Sequence, residues 1–252
     1  MISSTTMTTS TNRTIITASF LAGFTIASFL RLLDKRKAIS KNRKNAGSLN
    51  EGNDVTFFYD TTKKDHDKQR FIAKNKQYLP AELYGELVRN TVVVCVDCLI
   101  VKFNIHTNRY ECLLVERADE PAKSLWWLPG GRLFKGETFF DGALRKVKEE
   151  TGLTNDNNEI KPIQILGFYN TFFSRSSWDT EDEKGTQTVQ PIVLVKLENN
   201  HSDILLDRTS ERYRWIGLDP DEATKNGEDK YVIDALLKFQ AWSASYGSTS
   251  GI

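Results

Sequence analysis

Glu149 and Glu150 are adjacent, with Arg145 four residues before the first and Lys146 four before the second. On a helix, residues four apart share a face, so each acid has a cation one turn earlier. Neighbouring carboxylates repel, and a helix C-terminus, with its partial negative charge, disfavours them further. As a device for folding, this pair is a poor choice. It becomes favourable where a hard divalent cation is held, because Mg²⁺ takes oxygen ligands and neutralises the acids.

The surrounding stretch, "LPGGRLFKGETFFDGALRKVKEETGL" from Leu128 to Leu153, contains what such a helix needs. Thr138 is a candidate N-cap with Asp141 as its capping-box partner. Phe140, Leu144 and Val147, with Phe139 and Ala143, form an apolar stripe that packs on a sheet. Gly152 is a C-terminal stop.

Around this core the chain reads as alternating elements. "PAELYGELVRN" predicts a helix with Pro80 at its first position and Leu83, Leu87 and Val88 at helical spacing. "TVVVCVDCLIVKF" (91–103) is a β-branched run suited to a strand buried on both faces. "YECLLVER" (110–117) follows a turn at 106–109, which predicts a hairpin. Strands are expected at 161–173, 188–197 and 213–217, and a closing helix at 228–242 with Val232, Leu236 and Phe239 on one face. The long loop at 174–187 is acidic. This order predicts a mixed α/β sandwich. Asp97 interrupts the first strand, and a lone acid there must face a polar cleft or find a basic partner.

Composition narrows the function. Residues 1–44 carry eight Lys/Arg against Asp34 alone, so a net +1 overall leaves the remainder at −6. An acidic body argues against general nucleic-acid binding and is compatible with a cation site. Three cysteines are too few for a disulfide framework. Cys95 and Cys98 have C-x-x-C spacing, but residues three apart on a strand face opposite ways, so both are expected to be reduced and buried. Ile15–Leu30 is uncharged, slightly short of the roughly 20 residues that span a bilayer, and Arg31 can snorkel. Residues 1–33 therefore read as a membrane anchor with the body cytosolic, by the basic cluster that follows. An organelle transit peptide for a mitochondrion or plastid stays open because the segment is Ser/Thr-rich and lacks acids, with a secretory signal a third reading. Residues 34–78 read as a polar linker, and 79–246 as the folded domain.

The quoted stretch resembles the Nudix box, G-x5-E-x7-R-E-U-x-E-E-x-G-U with U apolar. Gly131, Glu137, Arg145, Val147, Glu149, Glu150, Gly152 and Leu153 match eight of its nine fixed positions over 23 residues. The resemblance implies a Nudix-type α/β/α sandwich with a mixed sheet. It also implies a Mg²⁺- or Mn²⁺-dependent hydrolase of a nucleoside diphosphate linked to another group. Glu149, Glu150 and the Gly130 carbonyl would be metal ligands, Glu137 a supporting acid, and Arg145 a residue that orients the carboxylates. Lys146 departs from the box, which has Glu there, and this implies fewer cations and an unassigned base.

Outside the box, "LVRNTVVVCVD", the "ER" ending at Arg117, "WWLPGGR" ending at Arg132 and "YRW" at 213–215 resemble the GDP-mannose mannosyl hydrolase branch. On that resemblance Arg117 and Arg132 clamp the diphosphate, Arg132 also acting in catalysis, and Asp97 places nucleotide and sugar. The branch's Gln-His pair is replaced by Thr209 and Ser210, so attack at the sugar carbon is in question. Glu181, Asp182 and Glu183 are alternative candidates for a base. The implied partner is a nucleoside diphosphate-linked small molecule, and a homodimer is allowed.

Overall fold

The computed structural model describes residues 79–154, 160–179, 184–198 and 203–250, with side chains as far as residue 245. The expected anchor at 1–33, the linker at 34–78 and the acids at 181–183 lie outside the described residues. Among the described residues no helix is long and apolar enough to cross a membrane.

Helix α1 (Ala81–Asn90) opens the fold, with Pro80 at its N-cap rather than inside the first turn. Its buried face is Gly85 and Val88, and Leu83 is exposed despite its helical spacing. Strands β1 (Val93–Asn104) and β2 (Arg109–Arg117) form the expected antiparallel hairpin. Two short strands follow, β3 (Trp126–Trp127) on β2 and β4 (Gly130–Arg132) on β1. Helix α2 (Phe139–Thr151) carries the paired glutamates. Strands β5 (Ile160–Phe173) and β6 (Thr186–Leu197) form a second antiparallel pair, and β7 (Ser210–Gly217) closes against β2. A short helix not expected from the sequence, α3 (Pro220–Lys225), capped by Asp219, precedes the expected closing helix, α4 (Lys230–Ser250).

The seven strands make one mixed sheet ordered β3-β2-β1-β6-β5, with β4 on β1 and β7 on β2. Among the described strands only β1 and β6 pair in parallel. The two faces have separate cores, because alternate residues of a strand point opposite ways. Leu99, Val101, Ile192 and Leu194 pack with Val232, Ala235, Leu236 and Phe239 of α4. Val96, Cys98, Ile100 and Val193 pack with Ala143 and Val147 of α2. The sheet thus lies between two helical layers.

Helix α2 has the ends expected of it. The Asp141 N–H donates to Thr138 Oγ1 and the Thr138 N–H donates to Asp141 Oδ2, both at 3.1 Å. Gly152 adopts φ 71°, the left-handed region in which glycine escapes the Cβ penalty, and its N–H donates to the Lys148 carbonyl. Thr138→Ala should lower unfolding free energy in urea by about 1 kcal/mol, and Thr138→Ser should restore most of it. Equal stability of all three proteins would show that this cap is idle.

Candidate active site

The side chains of α2 build a charged cluster at its C-terminal half. Arg145 donates from Nε to Glu137 Oε1 at 2.6 Å and from Nη2 to Glu137 Oε2 at 2.8 Å. From Nη1 it reaches Glu149 Oε2 at 3.0 Å. The Lys146 ammonium lies 2.7 Å from Glu150 Oε1 and 3.3 Å from Glu149 Oε2, so it stands between the two acids. Lys146 and Glu150 are only 8% and 4% exposed. Their i,i+4 pairing was legible in the sequence, but their burial was not.

Two bonds tie this cluster to the glycine turn. The Gly130 N–H donates to Glu150 Oε2 at 2.9 Å, and Arg145 Nη2 donates to the Arg132 carbonyl at 2.8 Å. Burial pushes the Glu150 carboxyl above its usual range, opposed by the Lys146 charge and by the hydrogen bonds from Lys146 and Gly130. On its other side Gly130 pairs in register with Asp97. A side chain at Gly130 would collide with the Asp97 carboxylate and the Val96 carbonyl, so only glycine allows this approach.

A cleft of ≈ 200 Å³ opens beyond the turn, and Asp97, Arg117, Gly130 and Arg132 all line it. Glu149 and Glu150 do not line it; Glu150 meets it through Gly130, and Glu149 is held by Arg145 and Lys146. Asp97 is buried and accepts from the Tyr231 hydroxyl at 2.6 Å, a partner from α4 that no local pattern announces. Arg117 donates to the Pro121 carbonyl at 2.7 Å, while the Arg132 guanidinium rests 4.2 Å from the Tyr84 ring centre. Thr209 holds Asp207 through a 2.6 Å hydroxyl bond, a local loop contact.

Cys95 lines the same cleft, whereas Cys98 points to the other core and donates to the Ala143 carbonyl. Burial raises the Cys95 thiol to about 12, and all three cysteines are free. The C-x-x-C spacing therefore carries neither a disulfide nor a reactive thiolate.

One strand adds residues that the sequence reading passed over. Thr186, Thr188 and Gln190 alternate along β6 and line the cleft. Both threonine hydroxyls and the Gln190 side-chain carbonyl are buried without a hydrogen-bond partner. Each such group costs about 1–3 kcal/mol. The available signal was the T-x-T-x-Q alternation ahead of an apolar run.

Oxygen donors from Glu149, Glu150 and the Gly130 carbonyl suit a hard divalent ion. Lys146 and Arg145 offset two of the three charges on Glu137, Glu149 and Glu150. Among the described residues, no three acid, histidine or cysteine side chains converge as an ion cage.

The NUDIX domain profile matches residues 96–236, more than half of the chain. The chain belongs to the Nudix family. It is 30% identical over 120 residues to the low-salt glycan biosynthesis protein Agl8 of Haloferax volcanii, covering 47% of this chain and 69% of that one. It is 37% identical over 78 residues to an ADP-ribose pyrophosphatase of Methanocaldococcus jannaschii, covering 31% of this chain and 40% of that one. Among curated relatives the match spans as little as 16% of the relative's length. A solved Ap4A hydrolase binary complex from C. elegans is 23% identical, covering 62% of this chain and 100% of that one at a TM-score of 0.47. Within the sequence motif from Gly131 to Leu153, the departure is Lys146.

Burial raises the Asp97 carboxyl to about 6, against the opposing Tyr231 bond and Arg117 charge. In the unfolded chain the group ionises near 3.9. Between these values unfolding releases a proton, so this residue's contribution to stability falls as pH rises, by about 3 kcal/mol in total. Asp97→Asn removes that fall while keeping an acceptor for Tyr231. The variant's unfolding free energy relative to wild type should therefore increase by up to about 3 kcal/mol from pH 4 to pH 7.5. A pH-independent difference in calorimetry would contradict the assignment.

Proposed function

We propose that this Nudix domain hydrolyses a nucleoside diphosphate linked to a second group, and that the second group is a sugar. The observation that carries the reading is the junction at Gly130. There Glu150, one of the paired acids of α2, is bonded to a turn that lines a cleft bearing two arginines and a buried acid. Arg117 and Arg132 would pair with the diphosphate, since a planar guanidinium matches phosphate oxygens. Asp97, held by Tyr231, would accept hydrogen bonds from substrate hydroxyls. Arg145 would keep Glu149 and Glu137 in place.

Gly130, Glu149 and Glu150 would hold one Mg²⁺ or Mn²⁺. When bound, the ion would neutralise the diphosphate oxygens and the charge on the leaving group. Agl8, by name a glycan biosynthesis protein, and the ADP-ribose pyrophosphatase support a glycosyl-bearing diphosphate. GDP-mannose is the first substrate to try, on the flanking motifs that end at Arg117 and Arg132. Tethering of the domain at a membrane through residues 15–33 remains part of the proposal.

One observation favours a second reading, nucleotide binding without turnover: Lys146 already occupies the space between Glu149 and Glu150. Product release from a panel of nucleotide sugars with Mg²⁺ separates the two. Glu150→Gln should lower kcat by roughly two to three decades, the scale of one lost charge stabilisation, with substrate still bound. Wild type and variant equally inert, yet both binding, would establish the binding module.

Lys146→Glu should weaken the metal-free fold, because a fourth acid enters a partly buried cluster in place of a cation. It should also tighten Mn²⁺ binding at least tenfold in calorimetric titration, with recovery of melting temperature on adding the ion. Unchanged Mn²⁺ affinity would place the ion away from Lys146.

A further inference from the structure

The three unpartnered polar groups on β6 have a common aim. Thr186 and Thr188 are 7% exposed and Gln190 is 2% exposed, and all three line the cleft that holds Asp97, Arg117 and Arg132. Sheet register puts them on one face: Thr186 lies opposite Phe173, Thr188 opposite Thr171 and beside Val93, and Gln190 opposite Tyr169. The Gln190 amide nitrogen is engaged, donating to Thr171 Oγ1 at 3.0 Å. Its side-chain oxygen and both threonine hydroxyls are not. Alternate residues of a strand are about 6.7 Å apart, so the row offers a polar group at regular intervals along the cleft floor.

The chemistry of this row selects its ligand. It carries no charge, so it suits the uncharged part of a substrate whose diphosphate lies with the arginines. Threonine hydroxyls donate and accept at once, while the Gln190 oxygen and Asp97 call for donors. Hydroxyl groups of a ring meet both needs. The aromatic walls do not form a slot for a flat base. Trp178 meets Tyr84 edge-on at 89°, and Trp127 is already stacked on Tyr231 at 4.4 Å and 3°.

The geometry points to Thr186, Thr188 and Gln190 as a specificity-determining subsite for a neutral, polyhydroxylated ring of the substrate. This rests on the proposed reading of the domain as one for diphosphate-linked substrates. The ring is the glycosyl group beyond the diphosphate or the ribose of the nucleoside, since both present the same hydroxyl chemistry.

The test is the double variant Thr186→Val with Thr188→Val, which keeps shape and removes both buried hydroxyls. Without ligand its melting temperature should rise, because two unpaired polar groups leave the interior. Calorimetry with Ca²⁺ present then compares GDP-mannose, UDP-glucose and ADP-ribose with GDP, UDP and ADP, and each diphosphate with its 2′-deoxy form. For a glycosyl subsite the double variant loses at least tenfold in affinity for the sugar-bearing ligand and none for the plain diphosphate. For a ribose subsite it loses affinity for both, together with any preference of wild type for ribose over deoxyribose. Thr186→Ser with Thr188→Ser should bind as wild type does. Unchanged affinity for ligands that wild type binds would overturn the subsite alone. Failure of wild type to bind any of these ligands would overturn the reading of the domain, and the subsite with it.

Discussion

The site depends on the buried pair between Lys146 and Glu150. A carboxylate taken this far from water needs a counter-charge and hydrogen bonds, and Glu150 has both, from Lys146 and from the Gly130 N–H. Removing either would leave a charge in the interior. The same contacts lock α2 to β4, and β4 in turn pairs with β1 at Asp97. One electrostatic requirement therefore sets the position of the helix, the glycine turn and the edge of the cleft together.

That arrangement divides the cleft region by chemistry. Behind the turn, formal charges are paired at close range. In front of it the arginines Arg117 and Arg132 stand near a floor of neutral hydrogen-bonding groups on β6. The floor carries a local cost, since its buried polar atoms lack hydrogen-bond partners. Proteins tolerate such local losses mainly where a ligand repays them.

Much of this was legible in the chain. The capping box of Thr138 and Asp141, the stop at Gly152 and the hairpin of β1 and β2 all rest on short-range rules that tertiary context did not override. Residues four apart on α2 met as expected. What escaped were contacts over long separations. Tyr231 reaches Asp97 from α4, and burial of Lys146 follows from how β4 crosses α2. Asp219 also caps a short helix, α3, in the stretch between the expected strand at 213–217 and the expected helix at 228–242. The β6 row escaped for another reason: its polar alternation resembles a solvated strand until the neighbouring strands cover it.

The parallel pairing of β1 with β6 has a consequence for how the chain acquires its shape. Val93 and Thr188 are neighbours in the sheet although α2, β4 and β5 all intervene between them in the chain. Closing so long a loop is entropically costly, and such distant pairings tend to form late. The hairpin and the acid-bearing helix can arise from nearby residues. The cleft floor cannot, so competence to recognise a ligand is among the last properties the folding polypeptide gains.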